Sequence, residues 1–202
     1  MAADFKNEIT IIGAGIIGVC AALELKQKGW NVSIVDPNEP GQVTSYGNAG
    51  VLSPWSCIPQ SVPGLWKNVP KWLFDPEGPL AISWFYAPRL LPWLIKFLKA
   101  GEINKVQQIS KALLTINQPS VDLYKKLVEG TGEEKLIRDS CYLHLYRDAR
   151  HASPSYTPWL IRQERDVPLR FLNQGEVQEI EPEISSKISG AVLIERQGRT
   201  TN

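Results

Sequence analysis

The sequence is poor in the residues from which staples and metal centres are built. Its 202 residues include three cysteines, Cys20, Cys57 and Cys141, widely spaced and without a CxxC pair. That odd, scattered set excludes a disulfide framework and a structural zinc site, and a reducing compartment suits it. The two histidines, His144 and His151, have no metal-ligand spacing, so no metal site is expected. Neither charge dominates: 22 Lys+Arg meet 21 Asp+Glu, a formal net charge of +1. That balance leaves no electrostatic footprint for nucleic acid. No apolar leader follows Met1, because Ala2 to Glu8 is polar, and no targeting signal is expected. The most apolar window, Pro79 to Leu98, is broken by Pro88, Arg89, Pro92 and Lys96. It is no membrane span; peripheral membrane contact there is the alternative to a buried, aromatic-rich segment. With 43% hydrophobic and 21% charged residues the chain is globular, enough for one large domain or two small ones.

What is present starts near the N-terminus. Ile9-Thr10-Ile11-Ile12 reads as a buried parallel strand. It runs into Gly13-Ala14-Gly15-Ile16-Ile17-Gly18 and then a helix through Lys28, with Ile16, Cys20 and Leu23 on one face. Lys26 and Lys28 suit the negative end of that helix, and Gly29 its C′ position. Val32 to Val35 is a second strand, ended by Asp36; the whole unit, Glu8 to Asp36, spans 29 residues, the size of one βαβ unit. Gly13 permits the tight turn, Gly15 lets a pyrophosphate approach the backbone, and Gly18 lets the helix pack on the strand. The helix N-terminus offers N–H donors to the phosphates. Asp36 lies 18 residues after Gly18, where a carboxylate accepts a ribose hydroxyl and disfavours a 2′-phosphate, and so NADP. Dinucleotide binding follows, as opposed to a glycine-rich turn in an ordinary α/β unit.

Residues 37–50 form a second glycine-rich loop, with Pro37, Thr44, Ser45 and the run Gly47-Asn48-Ala49-Gly50. Such a loop extends contact beyond the ADP half of a cofactor; a long surface loop is the plain alternative.

GAGIIGVCAALELKQKGWNVSIVD followed by TSYGNAG resembles the D-amino-acid oxidase-like superfamily of FAD-dependent oxidoreductases, and is most similar to its bacterial D-amino-acid dehydrogenases. VLSPWSCIPQSVPGLWKNVPKWLFDPEGPLAI and RLLPWLIKFLKAGE extend the likeness, which runs from about Ile9 to the last residue. The resemblance implies FAD held by the turn Gly13, Ala14, Gly15, Ile16, Ile17, Gly18 and by Asp36 and Pro37. It implies Thr44 and Ser45 near the pyrophosphate and Asn48, Ala49 and Gly50 beside the flavin ring. It also implies that a chain of this length is the N-terminal half of its relatives, with the substrate contacts on the other half. No catalytic residue is assigned.

Downstream, tryptophans and prolines interleave between residues 54 and 93, which reads as an irregular wrapped segment whose Trp55, Trp66, Trp72, Trp84 and Trp93 anchor loops. Val106, Ile109, Leu113 and Ile116 mark a helix face, broken at Pro119 before a second helix that stops at Gly130. Tyr142 to Tyr146 alternates like a strand, with His144 structural or solvent-facing. Thr157-Pro158 reads as N-cap and N1 of a helix through Arg165. Leu169 to Leu172 and Ala191 to Ile194 are further strands, the acids of a short helix at Glu176 to Glu181 form a solvated face, and Gly198 to Asn202 is a turn before a helix start.

The fold class expected is α/β: a Rossmann-like FAD-binding βαβ unit, an incomplete doubly wound sheet, plus part of an α+β substrate domain with a mixed sheet. Residues 1–56 form the first part, 57–197 the second, and 198–202 begin a return to the FAD domain. The function expected of an intact relative is oxidation of D-amino acids to imino acids, then 2-oxo acids and ammonia. The alternatives are a glycine or sarcosine-type amine oxidase and a non-catalytic fragment needing a C-terminal half. Partners expected are an amino-acid substrate, a respiratory electron acceptor and that complementary half. The location expected is the cytoplasm, with peripheral contact at the inner face of the cytoplasmic membrane as the alternative.

Overall fold

The computed structural model describes residues 7–67, 69–75, 82–83 and 85–201. Trp84 and the start of the apolar window lie outside them. By their contacts the described residues fall into two units. The first is drawn from Met1–Val51, Asp122–Arg138 and Arg199–Asn202, the second from Leu52–Val121 and Asp139–Gly198. The segment 122–138, which the sequence reading gave to the second domain, packs in the first unit.

The first unit opens with β1 (Glu8–Ile12), α1 (Ile16–Gln27) and β2 (Asn31–Val35). β1 and β2 are parallel, Glu8 opposite Asn31 and Ile12 opposite Val35. Gly29 ends α1 as its spacing predicts, at φ 84°. The N–H groups of Gly29 and Trp30 reach back to the carbonyls of Lys26 and Leu25, 3.0 and 3.1 Å away, which closes the helix in a Schellman turn. Ala22 is the buried residue of α1, whereas Ile17 is 84% and Ile12 90% exposed. A helix apolar on most sides is one that expects cover on more than one side. Later in this unit the N–H of Thr201 donates to the carbonyl of Leu136 at 2.8 Å.

A four-stranded sheet has the order β3 (Val51–Leu52), β6 (Gly190–Thr200), β4 (Ile137–Tyr146), and β5 (Leu169–Asn173) also pairs β6. β5 runs antiparallel to β6, Leu169 opposite Ile194. Within the second unit, Ala191 to Ile194 is apolar without alternation because both of its sides are covered. Val192 and Ile194 pack with Cys57, Trp159 and Val167, while Ala191 and Leu193 pack with Leu172 and Val177.

Several expectations are corrected. β6 continues through Gly198 to Thr200, where a turn was expected. A Cβ on Gly198 would meet Val121 at 2.9 Å and Leu52 at 3.3 Å, so this glycine permits close approach to a strand. The Trp- and Pro-rich stretch is not irregular throughout: it holds α2 (Val69–Phe74) and the 14-residue α3 (Ala87–Ala100). Pro88 lies in the first turn of α3, where its missing N–H costs nothing. Trp55 does anchor, in the second unit, donating to the carbonyl of Arg196 at 3.2 Å, but Trp66 and Trp93 are exposed.

α4 (Ile103–Asn117) and α5 (Ser120–Val128) are separated at Pro119 as expected. The buried face of α4 runs through Val106 and Ser110, and Ile116 points outward, 72% exposed. Tyr156, not Thr157, occupies the N-cap of α6 (Thr157–Gln163), which ends two residues before Arg165. Glu176 is no mere surface acid. With Asn173 it forms a capping box at α7 (Gln174–Ile180), the two backbone-to-side-chain bonds measuring 2.8 and 3.1 Å. His144 shares its face with Tyr142 and Tyr146 and meets the Trp159 ring edge-on at 5.3 Å. Its proton affinity is lowered by burial and by the Arg162 charge. A structural histidine is what this environment makes.

Candidate nucleotide-binding site

The site grows from the end of β1. Gly13 adopts φ 106°, closed to most side chains, and its N–H donates to the Val35 carbonyl at 2.8 Å, tying the turn to β2. Gly15 is the N-cap of α1 and has no side-chain cap of its own. Instead the hydroxyl of Ser45 accepts the Ile16 N–H at 2.9 Å. A Cβ on Gly18 would fall inside the carbonyl oxygen of Gly13, with Ile11 Cγ2 at 3.5 Å. The helix therefore starts hard against the turn and brings its unpaired N–H groups there.

Asp36 closes the other side. One carboxylate oxygen accepts the Ala14 N–H at 2.8 Å and the other the Asn38 N–H at 2.8 Å. These backbone donors, Ala14 first, hold its carboxyl below the usual aspartate value, so it is ionised through the neutral range. The loop is fastened by the Gly41 N–H on the Ala14 carbonyl at 2.9 Å. Together these elements border a cleft of about 280 Å³ lined by Ala14, Gly15, Asp36, Pro37 and Thr44, and by the run 38–43 apart from Pro40.

Of the residues singled out in the sequence, the structure gathers Ala14, Gly15, Asp36, Pro37 and Thr44 on the cleft wall, with Gly13 and Ser45 fixing its turn. Ile16, Ile17 and Gly18 belong to the helix start and do not line it. Asn48, Ala49 and Gly50 lie outside it too. Asn48 accepts the Gly50 N–H at 2.6 Å, and the Gly50 carbonyl accepts the Thr200 N–H at 2.7 Å. Asn38 and Glu39 were not singled out, although the Pro-Asn turn after an acidic strand end was the available signal. Two larger clefts, about 470 and 450 Å³, are lined by mixed surface charges, and none of these glycines is in their walls. Among the described residues no cluster suited to a metal ion occurs, and no helix is long and apolar enough to cross a membrane.

A parallel strand–turn–helix with a carboxylate at the next strand end can cradle a diphosphate and hold a ribose. The chain belongs to the family of FAD-dependent oxidoreductases, whose pattern matches residues 8–202. Its cofactor class is therefore FAD.

Within that family the chain is 40% identical, over 96% of its own length, to a D-amino-acid oxidase of Bradyrhizobium diazoefficiens, and spans 46% of that relative. Among solved structures it is similar to glycine oxidase of Geobacillus kaustophilus, with 21% identity and a TM-score of 0.56. It is also similar to L-proline dehydrogenase of P. horikoshii, with 18% identity and a TM-score of 0.59. It covers 96% of its own length in both comparisons, but 40% and 38% of those two chains. At such identity the likeness is one of fold: α/β, with parallel and antiparallel pairing as expected.

Proposed function

We propose that the chain supplies the nucleotide-binding part of an enzyme that oxidises D-amino acids at the amine-bearing carbon. The product is an imino acid, which water hydrolyses to a 2-oxo acid and ammonia. The observation that carries this reading is the 40% identity to a D-amino-acid oxidase across 96% of the chain. The solved glycine oxidases are alike in fold alone, so the glycine or sarcosine alternative has the weaker support.

The residues present fit the ADP half of FAD. Gly15 leaves room that a side chain would fill, its nearest neighbour to a built Cβ being Ser45 Oγ at 3.4 Å. That hydroxyl sits on the first N–H of α1, where a phosphate oxygen would accept the same bond. Asp36 would take a ribose hydroxyl on the oxygen that accepts only the Ala14 N–H, and Glu39 beside it adds to the charge that opposes a 2′-phosphate. We assign Gly13 to Gly18 and Thr44 and Ser45 to the pyrophosphate, Asp36 and Pro37 to the adenosine end, and Asn48 to Gly50 to the flavin side. Bound FAD would supply the acceptor for the hydride leaving the amino-acid carbon. This chain's residues bind, orient and exclude water, and none is assigned a proton transfer. Residues 1–56 serve the cofactor, with 122–138 packed in the same unit, and the rest of 57–197 serves the substrate, with 198–202 returning toward the cofactor part. A respiratory acceptor at the inner face of the membrane and a complementary C-terminal segment complete the reading.

The test is direct. The chain is purified with FAD, its visible spectrum recorded, and dye reduction and peroxide assayed with D-amino acids, glycine and sarcosine. The chain alone is expected to show no turnover, and co-production with the matching C-terminal segment is expected to restore it with D-amino acids. Turnover restored only with glycine or sarcosine would replace the D-amino-acid reading. Robust turnover by the chain alone would refute the need for a second segment.

Gly50 and Gly64 provide a paired test of the loop. Both have positive φ, 65° and 80°, and Gly64 has nothing near a built Cβ, whereas Gly50 abuts Thr200. Replacement by alanine costs about 1–2 kcal/mol of backbone strain at either position. At Gly50 it must also displace Thr200. Gly50→Ala is expected to lower the melting midpoint further and to perturb bound flavin absorbance, and Gly64→Ala to leave the spectrum alone. Equal effects on both would reduce residues 44–50 to a connection.

A further inference from the structure

His144 packs against a buried ring that already carries a cation. It stands on β4 between Tyr142 and Tyr146, half-buried, with its imidazole edge-on to Trp159 at 5.3 Å. Trp159 belongs to α6 and is 1% exposed. Three residues further along α6, the Arg162 guanidinium lies 4.7 Å from the centroid of the same indole. That guanidinium is short of partners. Its Nη1 reaches the Pro158 carbonyl at 3.3 Å, and its Nε is buried without an acceptor. Among the described residues it forms no ion pair.

The other titratable groups around the imidazole are phenols, a thiol and the second imidazole. Tyr142 and Tyr146 share its strand face, and burial pushes both phenols up. Cys57 lies in the core cluster of Trp159, and His151 sits 6.0 Å from the Tyr146 ring. The acids close in sequence are turned elsewhere. Asp139 lies five residues back on β4 and so on its other face. Asp148 pairs with Arg150 at 2.6 Å, and Glu164 accepts from Gln107 at 2.6 Å. The charge that acts on His144 is that of Arg162.

We propose that His144 is an acid-sensitive latch of the second unit, holding β4 to α6 as a neutral imidazole and releasing α6 when it takes up a proton. An imidazolium there would be half-buried, beside a second cation on one indole, without an acid to pair it. Desolvation first, and then Arg162, therefore hold its proton affinity down in the folded chain. The sign of the effect follows. As pH falls below the ordinary histidine value of about 6.5, the unfolded chain takes the proton more readily than the folded one. The latch is at full strength above that value and is lost as pH falls toward the lowered folded value. The groups involved all lie in the second unit, and the inference does not depend on the substrate.

The test is a urea titration of the 202-residue chain at pH 7.5 and pH 5.5. One proton changes the unfolding constant by at most tenfold per pH unit, so acidification is expected to raise it by up to about tenfold. His144→Phe keeps a ring against Trp159 but takes no proton, and its midpoint should move less between the two pH values. His151→Gln should keep the pH-dependence of the unmutated chain. Amide exchange locates the event: α6 protection factors should fall at pH 5.5 in the unmutated chain and hold in His144→Phe. The unmutated chain also answers by itself if the variant fails to fold. It has two histidines, so proton NMR shows two imidazoles, and the one with cross-peaks to the Trp159 indole should titrate below about 6.5. Titration at or above that value, α6 protection unchanged by pH, or a His144→Phe midpoint as pH-dependent as before would overturn the proposal. So would transfer of the whole pH-dependence to His151, seen as its loss in His151→Gln. These readouts involve no turnover, so this inference and the proposed reaction fail separately.

Discussion

Gly18→Ala is expected to unfold the nucleotide-binding unit, the largest effect of an added methyl group among the described glycines. The added Cβ would overlap the Gly13 carbonyl oxygen, with Ile11 Cγ2 at 3.5 Å behind it. The oxygen belongs to a turn whose N–H is already bonded to Val35, so relief requires lifting α1 off β1. Overpacking in a settled core costs about 1–3 kcal/mol. A backbone oxygen cannot rotate away as a side chain can, so the expected loss is about 3 kcal/mol or more. Hydrogen exchange of the β1 and β2 amides measures it: protection should vanish there first. Gly15→Val is the informative contrast. A Cβ at Gly15 meets only Ser45 Oγ, at 3.4 Å, and φ there is −71°, a conformation open to any residue. That variant should keep its amide protection while losing flavin binding by a hundredfold or so, about 2.7 kcal/mol. Native protection in Gly18→Ala, or undiminished flavin binding in Gly15→Val, would remove the glycines from the roles given to them.

Trp159→Ala should collapse the second unit's core. The ring is 1% exposed and meets His144, Tyr146 and Phe171 edge-on. Its N–H donates to the His151 carbonyl at 2.8 Å, and the Arg162 guanidinium lies over its face, 4.7 Å from the centroid. Truncation of a large buried aromatic costs about 3–5 kcal/mol, comparable with the whole stability of many domains. A urea titration followed by near-ultraviolet circular dichroism should show the transition shifted far toward low denaturant or absent. Trp66→Ala serves as control. That ring is 61% exposed, and its loss should move the midpoint by no more than about 0.5 kcal/mol in stability. Similar shifts for both would mean that the ring contacts around Trp159 do not hold this unit.

The structure changes how several sequence signals are read. Gly198 reads as a turn in the sequence, yet it sits inside β6, where Val121 comes too close for a side chain. Apolar spacing alone runs the face of α4 through Val106, Ile109, Leu113 and Ile116. Ser110, fully buried, lies on the true face, and the apolar Ile116 does not. Proline density hid α3, since Pro88 in a first turn is compatible with helix and Pro92 removes only one internal bond.

The stretch from Glu8 to Asp36 is legible from residue order alone. There the apolar runs, the three glycines, the Schellman glycine and the terminal acid are separated by distances along the chain that equal the geometry of one strand, one turn and one helix. The features of that stretch meet one another within a single 29-residue unit, so local order carries them. Folding brings the later residues to that unit: Ser45 on the first helix amide, Asn38 and Glu39 on the cleft wall, Thr200 against Gly50. It alone turned His144 toward Trp159. Such pairings join residues 15 to 150 positions apart, and what selects them is close packing across the fold, which leaves no periodic mark in the chain.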